Sequence, residues 1–168
     1  MHSTAYDEAA VFSKLLDSSK PLRIADVGSY DVNGCLKPIF NKKPWTYTGI
    51  DIAPGPNVDV IVPVDGRWEN ISPRSFDVAV CVSTLEHARR PWNLMREISR
   101  ILCAGGLLFT AAPYMWPEHL NPIDCWRILP EGMRTILEDA GFVPTEIKTK
   151  VFPPHPNCAD TIAIARKP

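Results

Sequence analysis

The sequence predicts an α/β protein with a doubly wound, mostly parallel sheet of seven strands that ends in an antiparallel hairpin. Short apolar runs alternate with segments whose apolar residues recur at helical spacing, which is typical of a parallel sheet covered by helices on both faces. The last two apolar runs have no helix between them, so we expect them to pair antiparallel. A length of 168 residues suits one domain, which we assign to residues 1–168.

The first half of the chain contains the predicted N-terminal helix, within residues 1–20, and three strands. The expected elements are a helix at 6–16, a strand at 22–27, a short helix at 34–40 and strands at 46–52 and 58–64. Only Ala53–Asn57 separates the second strand from the third, although a parallel crossover usually needs about a dozen residues. Either this crossover helix is reduced to a turn, or the third strand is wrong.

The second half continues the alternation and then closes the sheet. We expect a strand at 76–82, a helix at 91–102, a strand at 107–112, a helix at 130–140 and final strands at 142–151 and 159–165. Pro91 suits the first turn of its helix, and Gly105-Gly106 is expected to end it. The sequence FPPHPNC should join the last two strands.

Composition excludes several classes of partner. A formal net charge of −1 gives no electrostatic reason to expect nucleic acid or an anionic membrane as a partner. No signal peptide and no apolar run of about 20 residues is visible, so we expect no membrane association. The five cysteines are odd in number and form no C-x-x-C pair, which favours reduced thiols in a cytoplasmic protein and neither a disulfide framework nor a metal site.

Polar residues follow the strands at their carboxyl ends, where open parallel sheets bind ligands. These segments are 26–30, 51–52, 65–66 and 81–83. A dinucleotide fingerprint would need glycine at Tyr30 and Asn33, so that template fails. Acidic Asp26 and Asp31 flank the loop and disfavour a pyrophosphate. The loop therefore suits a ligand that carries a positive charge and a ribose.

The ordered series of motifs resembles the class I S-adenosylmethionine-dependent methyltransferases. The series comprises D-x-G at Asp26–Gly28, the acid Asp51, the pair Asp65-Gly66, and FDVAVCVSTLEH followed by a helix that ends REISRILCAGG. It is most similar to the small-molecule, methyltransferase type 11 group and extends from Leu22 to Arg166. The resemblance implies a Rossmann-like methyltransferase fold, S-adenosylmethionine as cofactor and a small-molecule methyl acceptor.

The resemblance also implies a role for each cofactor-binding position. Asp26 would organise the methionine ammonium group, Asp51 would bind both ribose hydroxyls, and Asp65 would accept the adenine amine. The complete implied set is Asp26, Gly28, Ser29, Tyr30, Asp51, Ile52, Asp65, Gly66, Cys81, Val82 and Ser83. Tyr30 departs from the family, which has a second glycine here, and its Cβ restricts the backbone of the loop.

We expect the acceptor beside residues 113–130, the substrate-side loop. His119 is its candidate general base, although for any single histidine the sequence favours a surface or structural role, bonded to a neighbouring carbonyl. The candidate acceptor-binding residues are Tyr114, Trp116, Trp126 and Arg127. The tryptophans could instead pack internally, and Arg127 could tie the loop to Asp124 or Glu131.

Other features leave alternatives open. Glu86-His87 would suit a metal, but no further ligands are evident from the sequence, so we predict none. His155, in a proline-rich turn, is expected to be exposed. A non-catalytic binding or scaffolding subunit and a nicotinamide-dependent oxidoreductase are the alternative functions. Because little chain is available to enclose the site, we expect a bulky acceptor, a second copy of the chain or a partner subunit to cover it.

Overall fold

The computed structural model describes residues 3–168 and contains one sheet of seven strands. In chain order the elements are α1 (Ser3–Ser13), β1 (Arg23–Val27), α2 (Lys37–Phe40), β2 (Thr46–Asp51), β3 (Val60–Ile61), β4 (Phe76–Val82), α3 (Pro91–Ile101), β5 (Leu102–Met115), α4 (Pro130–Asp139), β6 (Val143–Phe152) and β7 (His155–Arg166). A 3-10 turn covers Leu85–His87. The first two positions of the helix predicted within residues 1–20 lie outside the described residues.

The strand order confirms the predicted fold class. The order is β3-β2-β1-β4-β5-β7-β6, with β1 to β5 mutually parallel and β7 antiparallel to both β5 and β6. The order reverses between β1 and β4. In open sheets of this kind, a crevice for ligands lies beyond the carboxyl ends of the strands at such a reversal.

The short crossover after β2 reduces the third strand to two paired residues. Val60 lies opposite Ile50, and Ile61 lies opposite Asp51. The predicted strand at 58–64 therefore exists at its expected place but is much shorter, since a connection of eight residues forms a turn and cannot supply a covering helix.

The expected stop of α3 at Gly105-Gly106 is wrong. The helix ends at Ile101, and β5 begins at once with Leu102 in an extended conformation. Gly106 lies within this longer strand, where an added Cβ would come within 2.9 Å of the Cys103 carbonyl oxygen. Close backbone approach explains this glycine. The predicted connection before β7 is likewise shorter than expected, since β7 already begins at His155.

Helices cover both faces of the sheet and leave its carboxyl edge open. On one face, Met95 and Ile98 of α3 and Met133 of α4 are fully buried. On the other, Phe12 of α1 stacks on Phe109 of β5 with ring centroids 5.3 Å apart. Within residues 3–168, every helix is too short or too polar to cross a bilayer.

Candidate cofactor and acceptor site

A cleft lies beyond the carboxyl ends of β1, β2 and β4. It comprises a larger cavity of about 620 Å³ and a smaller one of about 120 Å³. The two cavities adjoin, since both are lined by Gly28, Tyr30, Val32, Ser83, His87 and Asn121. The predicted cofactor residues that line the cleft are Asp26, Gly28, Ser29, Tyr30, Asp51, Ile52, Asp65, Gly66, Val82 and Ser83. Cys81 lines neither cavity and is fully buried behind it.

Gly28 begins the cofactor loop with a positive φ of 81°. A Cβ at this position would lie 2.0 Å from Thr84 Oγ1, and the Thr84 hydroxyl donates to the Val82 carbonyl (3.0 Å) in the loop that follows β4. The two loops therefore approach too closely for any side chain. Glycine is required here both for conformation and for space.

Tyr30 is accommodated without the positive φ that its family position suggests. Its backbone stays outside the left-handed region, and its N–H donates to Asp51 Oδ2 (2.9 Å). The ring lies against Gly55, where an added Cβ would meet it at 2.0 Å. The tyrosine thus joins the β1 loop to the segment after β2, and Gly55 provides the space.

The Asp51 carboxylate faces the larger cavity and retains unused capacity to accept hydrogen bonds. Oδ2 accepts the Tyr30 N–H and Oδ1 accepts the Ile52 N–H (2.7 Å). A carboxylate has about four acceptor positions, so each oxygen retains capacity for another hydrogen bond. The backbone bonds fix the orientation of the group, and the remaining capacity suits two adjacent hydroxyl groups.

Asp26 is buried at the start of the loop and faces the smaller cavity. Burial raises the pKa of its carboxyl to about 7; a hydrogen bond from the Tyr47 hydroxyl opposes this rise, and the charge of Asp51 adds to it. The Asn57 side-chain amide in turn donates to Tyr47 Oη (2.7 Å) and to the Ser29 carbonyl (3.0 Å). Sequence reasoning missed Tyr47 and Asn57, because no local motif relates them to Asp26.

At the far end of the larger cavity, Asp65 pairs with Arg90. The Arg90 Nη1 lies 3.2 Å from Asp65 Oδ2, and both side chains are substantially exposed. An exposed ion pair of this kind contributes little to stability, so the Asp65 carboxylate can also bind a ligand. Arg90 was missed because it precedes α3 in a loop without an evident motif.

The substrate-side loop holds itself in place with Arg127. Its five N–H groups donate to both Asp124 oxygens (each 2.7 Å) and to the carbonyls of Trp116, Pro117 and Trp126. No donor is left for an acidic acceptor group, so the geometry favours the loop-tying role over acceptor binding.

The aromatic residues of the predicted wall do not line either cavity of the cleft. The Trp116 ring contacts Phe152 with centroids 5.6 Å apart, and Trp126 Nε1 donates to the Ala88 carbonyl (2.8 Å). Neither of these residues, nor Tyr114 or Arg127, lines either cavity. The loop contributes its cleft surface through another set of side chains, His119, Asn121 and Pro122.

Three polar side chains meet where the loop approaches the 3-10 turn after β4. His87 Nε2 and His119 Nε2 each lie 3.7 Å from Oε1 of Glu86. Glu86 is fully buried, and neither of its carboxylate oxygens has a hydrogen-bond partner among the residues that the structure describes. The nearby Glu86 carboxylate raises the pKa of His119. His119 is therefore the side chain that joins Glu86 and His87, and sequence analysis did not find this grouping.

Comparison with protein families identifies the domain. Residues 26–110, half of the chain, match the methyltransferase domain family. The chain belongs to that family. This match contains the D-x-G loop, Asp51, Asp65 and the turn at Glu86, and it ends within β5. The methyltransferase sequence matches no protein of curated function at a significant level.

Solved structures show that the fold is shared across distant methyltransferases. One is the Burkholderia thailandensis 1,6-didemethyltoxoflavin N1-methyltransferase with bound S-adenosylhomocysteine (TM-score 0.72, 17% identity, 97% of this chain and 78% of that one). Another is a Haloferax volcanii methyltransferase in complex with the Trm112 activator (TM-score 0.73, 16% identity, 98% of this chain and 89% of that one). The [4+2]-cyclase SpnF has a similar TM-score of 0.73 (18% identity, 96% of this chain and 80% of that one). At these identities the likeness concerns the fold alone.

Proposed function

We propose that this chain binds S-adenosylmethionine and transfers its methyl group to a small-molecule acceptor. The observation that carries the proposal is the Asp51 carboxylate, oriented by two backbone N–H groups and facing the larger cavity with acceptor capacity to spare. Two adjacent ribose hydroxyls match that capacity. Membership of the methyltransferase domain family adds independent support.

The residues of the cleft fit this cofactor from end to end. Asp65 and Gly66 are available to adenine at the far end, and the glycine at position 28 lets the backbone come close to the ligand. The buried Asp26 carboxylate suits a cationic methionine part. When bound, S-adenosylmethionine supplies an activated methyl group, and the chain contributes alignment and exclusion of water.

The acceptor then belongs in the smaller cavity, on the side of His87, His119 and Asn121. His119 lies there with Nδ1 near the Pro117 carbonyl oxygen (3.2 Å) and Nε2 toward Glu86. We propose that His119 acts at the acceptor, as sequence analysis expected. Its Nε2 is free to accept the proton of the acceptor or to bind a metal ion.

A second function remains, because the cyclase SpnF shares this fold. A cofactor-binding chain of this architecture need not transfer a methyl group, and a binding or scaffolding role would use the same cleft. A nicotinamide cofactor has less support, since its pyrophosphate would lie beside the buried Asp26.

We also propose that the cleft is covered from outside this chain. Val32, Ile52 and Val64 line the cleft and are substantially exposed, so an acceptor or partner subunit can bury them. The Haloferax volcanii neighbour was solved with an activator protein. A second copy of this chain would serve the same purpose.

Isothermal calorimetry tests the cofactor assignment. S-adenosylhomocysteine should bind and NADH should not. Asp51→Ala should weaken S-adenosylhomocysteine binding by about 2–3 kcal/mol, the range for hydrogen bonds to a charged group. Asp139→Ala is a matched control, because Asp139 is exposed at the end of α4 and lines neither cavity.

The affinities can be compared only if the variant is folded. Circular dichroism and the melting temperature must show that Asp51→Ala remains native, since the substitution also removes the acceptor of the Tyr30 and Ile52 N–H groups. Equal affinity of Asp51→Ala and wild type would contradict the ribose assignment. Binding of NADH in place of S-adenosylhomocysteine would overturn the proposed function.

A further inference from the structure

We propose that Glu86, His87 and His119 bind a divalent transition metal ion, best satisfied by zinc, at the acceptor end of the cleft. Glu86 and His87 are neighbours on the 3-10 turn after β4, and His119 comes from the substrate-side loop, far along the chain. The proposal extends the function above but does not depend on it, because metal binding needs no cofactor.

The donor atoms have the spacing that an ion would close. One donor atom from each of the three side chains lies within 4.8 Å of the others, and both imidazole Nε2 atoms lie 3.7 Å from Glu86 Oε1. Ligands bonded to zinc at about 2.0–2.2 Å stand roughly 3–3.5 Å apart, so only small side-chain shifts are needed. A direct N–H···O bond would be shorter, about 2.7–3.2 Å, and the two histidines therefore do not satisfy the carboxylate themselves.

The two imidazoles are oriented through their other nitrogen atoms. His87 Nδ1 is hydrogen-bonded to the Ile123 carbonyl, and His119 Nδ1 lies near both the Pro117 carbonyl (3.2 Å) and Asp124 Oδ2 (3.3 Å). An Nδ1–H that donates to a carbonyl or carboxylate leaves Nε2 as a lone-pair donor. This arrangement is the one found around metal-bound histidines, where an outer acceptor fixes the tautomer and ring orientation.

Glu86 supplies an independent observation. A buried carboxylate without hydrogen bonds is energetically costly and is normally paired or bound to a metal. Here both oxygens are buried and lack hydrogen-bond partners within residues 3–168, while the backbone around them is well bonded: the Glu86 carbonyl accepts the Cys125 N–H (2.7 Å). The protein thus places an oriented, buried carboxyl group between two imidazole nitrogens, and a cation in that position would satisfy all three.

The donor set indicates the kind of ion. Two imidazoles and one carboxylate suit zinc and similar transition metals, whereas magnesium prefers oxygen ligands alone. Three protein ligands leave coordination positions open, and both histidines line the smaller cavity. We infer that an acceptor with a hydroxyl or thiol group would bind the ion there; coordination would make that group more acidic, and its proton would pass to solvent.

Metal binding is tested with the chelator-treated full chain and metal ions alone. Co²⁺ is titrated and followed by visible absorption, and Zn²⁺ is then used to displace it. One equivalent should bind, and Glu86→Gln, His87→Ala and His119→Ala should each weaken binding about 100-fold or more, beyond the 10–100-fold loss typical of outer-shell changes. Zn²⁺ should raise the melting temperature of the wild type but not of these variants.

Two matched variants control for other metal-binding groups. His155→Ala removes a histidine that lines neither cavity, and Cys125→Ser removes the exposed thiol nearest to Glu86 in the loop. Both should bind Co²⁺ like wild type. Glu86→Gln should be at least as stable as wild type without metal, because it replaces a buried carboxyl group that has no hydrogen-bond partners with an amide of similar shape, and this separates lost ligation from misfolding.

Several results would overturn the metal site. These are absence of stoichiometric Zn²⁺ binding, binding that survives all three ligand substitutions, loss of binding in Cys125→Ser, or a preference for Mg²⁺. Calorimetry with S-adenosylhomocysteine on the same samples separates the two proposals. If S-adenosylhomocysteine binds and zinc does not, the metal site fails while the proposed function stands; the reverse result leaves the metal site standing.

Discussion

Replacement of Asp26 by asparagine should change how stability depends on pH. The carboxyl is buried, and burial raises its pKa from 3.8 to about 7. The groups coupled to it are Tyr47, Asp51, Cys35 and Cys81. Because the folded state holds this proton more tightly than the unfolded state, stability is complete below the unfolded pKa and is lost as pH rises toward the folded pKa. Asparagine keeps an acceptor for the Tyr47 hydroxyl and carries no charge.

The size of the effect follows from the two pKa values. A rise from 3.8 to about 7 corresponds to about 4 kcal/mol in total, at about 1.4 kcal/mol per unit. Of this stabilisation, wild type loses about 2 kcal/mol between about pH 5.5 and about pH 8. The Asp26→Asn variant should therefore gain about 2 kcal/mol over wild type across this interval, or about 4–8 °C in melting temperature for a chain of this size.

Urea unfolding of both proteins at the two pH values gives the free-energy difference between variant and wild type at each pH. The change in that difference between the two pH values is the predicted effect, and groups that do not interact with Asp26 contribute equally to both proteins and cancel. Asp77→Asn is the control, because the Arg23 guanidinium lowers the pKa of Asp77 and its contribution is constant above about pH 5. If Asp26→Asn and wild type differ by the same free energy at both pH values, Asp26 is ionised throughout, and the argument from burial is refuted. The same variant should bind S-adenosylhomocysteine more weakly at pH 8, where wild type offers a full negative charge.

Two further predictions concern the loop and the open side of the cleft. Gly28→Ala should cost about 1–3 kcal/mol of stability through its positive φ and its contact with Thr84, and should weaken S-adenosylhomocysteine binding, whereas Gly132→Ala, on the helix α4, should be neutral or stabilising. Equal melting temperatures for Gly28→Ala and wild type would contradict the close approach of the loops. Sedimentation should show a dimer or a complex with acceptor present; a monomer that encloses a small acceptor unaided would refute the external cover.

Much of the fold is predictable because most strands are marked by short apolar stretches of the sequence. The strand β4 matches its prediction at both ends, Phe76 and Val82, since a mostly apolar run bounded by polar residues specifies a central parallel strand. β3 is predictable only in position, because its length depends on how far an edge strand can follow Ile50 and Asp51. The end of α3 depends on pairing of Leu102 with Phe76, which is a tertiary contact.

The meeting of the three acidic residues in the cleft was predictable for a related reason. Asp26, Asp51 and Asp65 each follow a strand, so strand order alone brings them to one edge. The meeting of His119 with Glu86 was not predictable, because His119 reaches Glu86 through the path of an irregular loop. Aromatic side chains in that loop suggested a binding wall, but their position in space depends on Arg127; its pairing with Asp124 was anticipated, whereas its bonds to the backbone carbonyls of the loop have no sequence signature.

The bonding of residues 113–130 has a kinetic consequence. Arg127 holds the loop to itself, Trp126 is bonded to the Ala88 carbonyl, and Cys125 is bonded to Glu86 beside the histidines. We expect a segment held at this many points to keep its place while ligands come and go. Ligand exchange would then proceed past Asn121 and Val32, which line both cavities, and its rate would depend on how long any covering partner stays bound.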